Sequence, residues 1–259
     1  MPPMNFPKSL LVVLLLFLTS MIRSQNNYEI QVYGSELIPK GQNIIELHSN
    51  FTVIGPATQG NDGVASTNHQ LRETVEITRG ITSWMEIAVY TFTTLTPDGG
   101  YNWVGNHIRP RISIPEGWHW PIGLSLSNEL GYQRMSYADD QWSWEMRYII
   151  DKKINKLYLS FNPTFDLGLQ GRTDKQGFIF TPCFKISYEW TKKFIPGIEY
   201  FSTLGPTMAW LGLSNQQHQL CLSVDLDLSP KWEINTGLCF GLTSTTDQFI
   251  PKIVVGRKF

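Results

Sequence analysis

Polar and apolar residues alternate one for one along most of the chain beyond Gln42. Val224, Leu226 and Leu228 alternate with Ser223, Asp225 and Asp227, and Ile234, Leu238, Phe240 and Leu242 alternate with Glu233, Asn235, Gly237 and Gly241. The same pattern runs through 157–168 and 178–190. Successive side chains on a strand point to opposite faces, so a period of two held over about ten residues predicts β-strands. Twelve segments follow: 43–54, 69–79, 84–94, 102–114, 121–133, 142–152, 157–169, 176–190, 194–204, 218–228, 232–243 and 249–259. They are longer than the five or six residues usual in globular sheets.

The connections alternate in length. Those at 80–83, 115–117, 153–156, 191–193 and 229–231 are tight, and those at 55–68 and 205–217 are the longest. Short turns on one rim, longer loops on the other and an even strand number are the pattern of a transmembrane β-barrel, with both ends of the barrel at the short-turn, periplasmic rim. Trp84, Trp118, Trp120, Trp190, Phe194 and Trp232 lie beside the short turns, where an aromatic girdle is expected at the membrane–water boundary.

Alternation alone does not say which face is inside. Here the polar face carries mid-strand charges: Glu76, Glu86, Arg109, Arg111, Glu129, Glu145, Arg147, Lys185, Glu199, Asp225 and Lys252. The apolar face is bulky and nearly free of charge. The polar face therefore lines a lumen and the apolar face meets lipid. The predicted fold is all-β, a closed antiparallel transmembrane barrel of about twelve strands.

Composition narrows the setting. A net charge of −1 gives no basic field for nucleic acid. Mean hydropathy is near neutral, which argues against a helical membrane protein and not against a barrel. At the start, Lys8, the apolar run 10–18 and the small residues Thr19, Ser20 and Ser24 read as a secretory signal peptide cut near Ser24–Gln25. The expected organisation is a signal peptide over 1–24, an N-terminal periplasmic segment over 25–42 and an outer-membrane barrel over 43–259.

The closing residues Gly241-Leu242-Thr243, Thr246-Asp247, Lys252, Gly256 and Phe259 resemble the last hairpin of the Gram-negative outer-membrane family named after the MetA pathway of phenol degradation. The stretches Asn106-His107-Ile108-Arg109-Pro110-Arg111, Trp118-His119-Trp120-Pro121 and Glu129-Leu130-Gly131-Tyr132-Gln133-Arg134 resemble uncharacterised relatives of such barrels. The resemblance implies transport of small solutes, hydrophobic ones included. A final Phe259 on an amphipathic strand also resembles the signal read by the barrel-assembly machinery, which with outer-membrane lipid would be a partner.

Catalytic and metal motifs are scarce. His48 and Ser49 are adjacent on a strand and point to opposite faces, so they form no nucleophile–base pair, and a membrane-embedded lipid hydrolase is only a minor alternative. His48, His107 and His119 lie on separate segments without short ligand spacing, so neither metal nor cofactor is expected. The candidate site is the lumen charge network of Glu86, Arg109, Arg111, Glu129, Glu145, Arg147, Lys185, Glu199, Asp225 and Lys252. Arg109 and Arg111 are expected between Glu86 and Glu129. These charges form either a solute-selecting eyelet or mutual bracing, and the two are not exclusive. The expected function is a passive channel or transporter, with a structural or adhesive barrel whose loops bind a partner as the rival. Finally, a hairpin with Ser229, Pro230 and Lys231 as its loop sets Leu228 opposite Trp232 and Cys221 opposite Cys239, close enough to bond.

Overall fold

A computed structural model describes residues 28–56 and 63–259. The expected signal peptide over 1–24, with its cleavage site, lies outside the described residues. Twelve antiparallel strands close into a barrel. They are β1 (Asn43–Phe51), β2 (Leu71–Gly80), β3 (Met85–Leu95), β4 (Tyr101–Ser113), β5 (Gly123–Gln133) and β6 (Asp140–Ile154). Then come β7 (Leu157–Asn162 and Thr164–Gly171), β8 (Ile179–Phe180 and Cys183–Tyr188), β9 (Phe194–Thr203 and Gly205–Pro206), β10 (Gln217–Ser229), β11 (Trp232–Gly241) and β12 (Phe249–Lys258). Each strand overlaps its expected segment.

Neighbours in sequence pair with one another, and β12 pairs back onto β1 from Ile44↔Lys258 to Asn50↔Lys252, which leaves no sheet edge exposed. The breaks in β7 and β8 fall at Pro163 and Pro182, which have no N–H for the ladder. Their carbonyls still accept, from Tyr148 N at 3.1 Å and Ser202 N at 3.2 Å.

The two faces are those the alternation predicts. Glu76 is 1% exposed while its neighbour Ile77 is 45% exposed, and Leu222 is 53% exposed beside a fully buried Cys221. A water-soluble barrel would bury the apolar set instead. Trp84, Trp118, Trp120, Trp190 and Trp232 stand exposed at the short-turn rim. A second aromatic set, Tyr101, Trp103, Trp142 and Trp210, stands exposed toward the loop rim.

The hairpin β10–β11 corrects one expectation. Ser229 pairs with Trp232, so the turn is Pro230-Lys231 rather than three residues. A register shift between Leu226 and Ser229 compensates for the extra pair and restores Leu226↔Ile234. Cys221 therefore still faces Cys239, with Cα atoms 3.9 Å apart, and the two are bonded.

The N-terminal segment departs further from expectation. Its described part does not extend into the periplasm. Tyr28, Ile30, Val32 and Tyr33 are buried inside the barrel, and the chain reaches the short-turn rim at Lys40, which bridges to Gly80.

Candidate functional site

An extended chain inside a barrel has no partner strand, so its backbone groups need partners from the wall. Nine wall residues supply them. Asn50 Nδ2 and Thr74 Oγ1 donate to the Tyr28 carbonyl, each at 3.0 Å, and Lys252 Nζ donates to the Ile30 carbonyl at 2.7 Å. Tyr33 N donates to Asn162 Oδ1 at 2.8 Å, and the Tyr33 carbonyl accepts from Ser160 Oγ at 2.7 Å and Asn162 Nδ2 at 3.0 Å. Arg111 donates to the carbonyls of Gly34 and Glu36, at 3.0 and 2.8 Å. Ser113 Oγ donates to the Ser35 carbonyl at 2.7 Å, Ser35 N donates to Asp151 at 2.8 Å, and Ile38 N donates to Glu86 at 2.8 Å. These partners come from seven strands around the barrel, so the segment is seated on all sides.

Its side chains alternate as a strand's do. Ile30 and Val32 pack with the Cys221–Cys239 bridge, Cys183, Phe201 and Ile250 in an apolar cluster on the lumen wall. The Tyr33 ring lies under three guanidiniums: Arg109 and Arg147 at 4.8 Å and Arg111 at 5.8 Å. Such cation–π contacts strengthen out of water. At the rim, Gly80 is required by contact, because a Cβ there would collide with the carbonyl oxygens of Ile38 and Pro39.

The predicted charges are paired, in four groups, and all are buried except the half-buried Glu145, Arg147 and Asp225. Arg109 donates to Glu76 at 2.8 Å and contacts Glu86 at 3.4 Å, while Arg111 contacts Glu86 at 2.8 Å. Ala88, the cross-strand partner of Arg109, is small enough for the guanidinium to pass over it to β2. Lys185 bridges Glu199 at 3.2 Å, its direct cross-strand partner, and Asp225 at 2.7 Å, and Lys252 contacts Glu199 at 2.5 Å. Arg147 pairs with Glu145 two residues away on β6, at 2.8 Å. Glu129 departs from the predicted arrangement: it pairs with His107, not with Arg109 or Arg111. His107 lies opposite Gly131, and its ring occupies the space a side chain there would take.

Above the segment, toward the loops, the lumen holds a cavity of about 260 Å³. Its lining includes six carboxylates, Glu29, Glu129, Asp139, Asp140, Glu145 and Asp166, against the guanidiniums of Arg72 and Arg147. The lining continues to the loop residues Val64, Tyr137 and Ala138. The lumen thus holds a vestibule of mixed polar and apolar lining toward the loops, and Tyr28, Glu29 and Gln31 of the bound segment form part of its wall.

No family model and no curated protein sequence matches this chain. Solved structures do. The chain is similar to the COG4313 outer membrane channel from Pseudomonas putida F1, with TM-score 0.58 and 12% identity over 89% of this chain and 100% of that one. It is also similar to the NanC porin, with TM-score 0.53 and 5% identity over 82% and 97% of the two chains. The KdgM porin, solved in complex with disordered oligogalacturonate, gives TM-score 0.52 and 9% identity over 83% and 99%. At these identities the likeness establishes the fold: a closed barrel of the outer-membrane type.

Sequence reasoning placed every one of the ten site charges on the lumen face and missed the segment that many of them hold. The signal was present, because Tyr28, Ile30 and Val32 alternate with Glu29 and Gln31. It set aside His48, which lies 3.5 Å from Glu76, and missed Arg72, which lies 3.4 Å from Asp247 near the loop rim.

Proposed function

We propose that the chain is an outer-membrane channel for small polar solutes, closed by residues 28–38 and opened when that segment leaves the lumen. The observation that carries this reading is the vestibule that ends on the segment. A barrel meant only as a scaffold has no need of a cavity lined with charge. The outward apolar band and the two aromatic sets support placement in a membrane. The excess of carboxylates in the vestibule favours cationic over anionic or hydrophobic solutes. A hydrophobic cargo, which kinship with the phenol-degradation barrels would imply, would meet apolar lining such as Phe92, Leu167, Ile179 and Phe201 interrupted by those carboxylates. We keep that kinship at the level of the barrel and its closing hairpin. Phe259, exposed at the short-turn rim, is our candidate for the assembly signal.

Planar-bilayer recording under a KCl gradient tests the reading. Current should come in bursts and its reversal potential should show cation preference. Glu129→Gln combined with Glu145→Gln should weaken that preference. A barrel that passes no current, even with residues 28–38 replaced by a Gly/Ser stretch, would favour the structural alternative.

A further inference from the structure

Two carboxylates face each other directly across β1 and β2: Glu46 and Glu76 are cross-strand partners in the ladder. Both point into the lumen and both are at least nine-tenths buried. Like charges set opposite one another in a sheet repel, and burial removes the water that would screen them. His48 follows Glu46 by two residues on the same face and is fully buried. Neither of its ring nitrogens makes a hydrogen bond, which is uncommon for a buried imidazole; Nε2 faces Glu76 Oε2 at 3.5 Å, across the gap an ion would bridge. One donor atom from each of Glu46, His48 and Glu76 lies within 4.8 Å of the others.

We infer that Glu46, His48 and Glu76 form a binding site for one divalent transition-metal ion. An imidazole nitrogen with two carboxylate oxygens is a borderline donor set, suited to ions such as Zn²⁺. Metal–ligand bonds of about 2.0–2.2 Å put donors roughly 3–4 Å apart, so small side-chain adjustments close the site. The second oxygen of Glu76 is already held, by Arg109 at 2.8 Å and by the Thr78 hydroxyl at 2.6 Å. Such outer partners orient a ligating carboxylate. Three carboxylates, Glu46, Glu76 and Glu86, stand beside the two guanidiniums of Arg109 and Arg111, an imbalance that a bound cation would answer. Arg109 also lies against the Tyr33 ring, so the ion would brace the wall where the lumen segment rests on it.

The test uses the full folded barrel in detergent micelles, in a Cys183→Ser background that removes the free thiol. The barrel is stripped with EDTA, freed of it and titrated with ZnCl₂ by calorimetry. Heat-modifiable gel migration shows that each variant is folded. One saturable equivalent is expected. Glu46→Gln and His48→Ala should each weaken it ten-fold or more, and His218→Ala, which lies toward the loop rim, should leave it unchanged. If His48→Ala does not fold, near-isosteric Glu46→Gln alone decides. Absence of saturable binding, or binding that Glu46→Gln leaves unaltered, would overturn the site.

Discussion

Toward the short turns, Glu86, Arg109 and Arg111 lie against residues 33–38, and the guanidinium of Arg111 spends its donors on main-chain carbonyls. Toward the loops, Glu129, Glu145 and Asp166 line a cavity in which acids outnumber bases. The same wall, with the same alternation, builds both halves. What differs is whether a second piece of chain fills the space. In the filled half the charges are structural, since each is desolvated and held by fixed partners, and removing one partner leaves another stranded. In the open half Glu129, Glu145 and Asp166 also have partners, in His107, Arg147 and Thr181, but they border a cavity rather than a second piece of chain. On our proposal a lumen charge braces where the chain fills the space beside it and selects solutes where a cavity remains.

The largest effect tests the frame that both halves share. Leu222→Arg puts a charge in the lipid-facing band and should cost about 2–4 kcal/mol if it sits near the bilayer midplane. Leu222→Ala should cost clearly less. Folding titrations into lipid vesicles measure both, and equal costs would mean that this face does not meet lipid.

Next comes the filled half. Arg111→Ala strips two carbonyls of the lumen segment and one carboxylate of their donor, a loss of about 1.5–3 kcal/mol by the worth of charged hydrogen bonds. A cycle with Glu86→Gln should be non-additive by about 0.5–3 kcal/mol, because the two groups touch. Denaturant unfolding of the four proteins measures the coupling, and additive costs would dissolve the proposed bracing.

A smaller change sharpens the boundary between the halves. Ser113→Ala removes one hydrogen bond to the Ser35 carbonyl and should cost about 1 kcal/mol. That loosening should raise the burst frequency in bilayer recordings without altering ion preference. Glu129→Gln, in the open half, should do the reverse. If both variants change the same quantity, the division of labour fails.

The wall was legible because strand periodicity, turn length and the charge of one face are all local properties of the sequence. The facing of Cys221 and Cys239 was legible by register, although the bond itself was not and the turn has two residues and a compensating shift rather than a plain three-residue loop. The partners of the charges were less legible. Direct cross-strand pairs such as Lys185–Glu199 follow from counting. Diagonal ones do not: Arg109 reaches Glu76 because Ala88 leaves room, and His107 reaches Glu129 because Gly131 has no side chain in the way. The lumen segment was hidden for a different reason. A short alternating run ahead of the first strand reads equally as a periplasmic arm. Its seat is built from Asn50, Thr74, Ser113, Ser160 and Asn162, common polar residues that carry no motif.

The central claim is that residues 28–38 close the lumen. It is tested most directly by single-channel recording of the unaltered barrel beside a variant in which those residues are replaced by a Gly/Ser stretch of equal length. The unaltered barrel is expected to be quiet with brief openings, and the variant to hold a steady open level many times larger in mean current. Equal mean currents from two barrels of verified fold would contradict it.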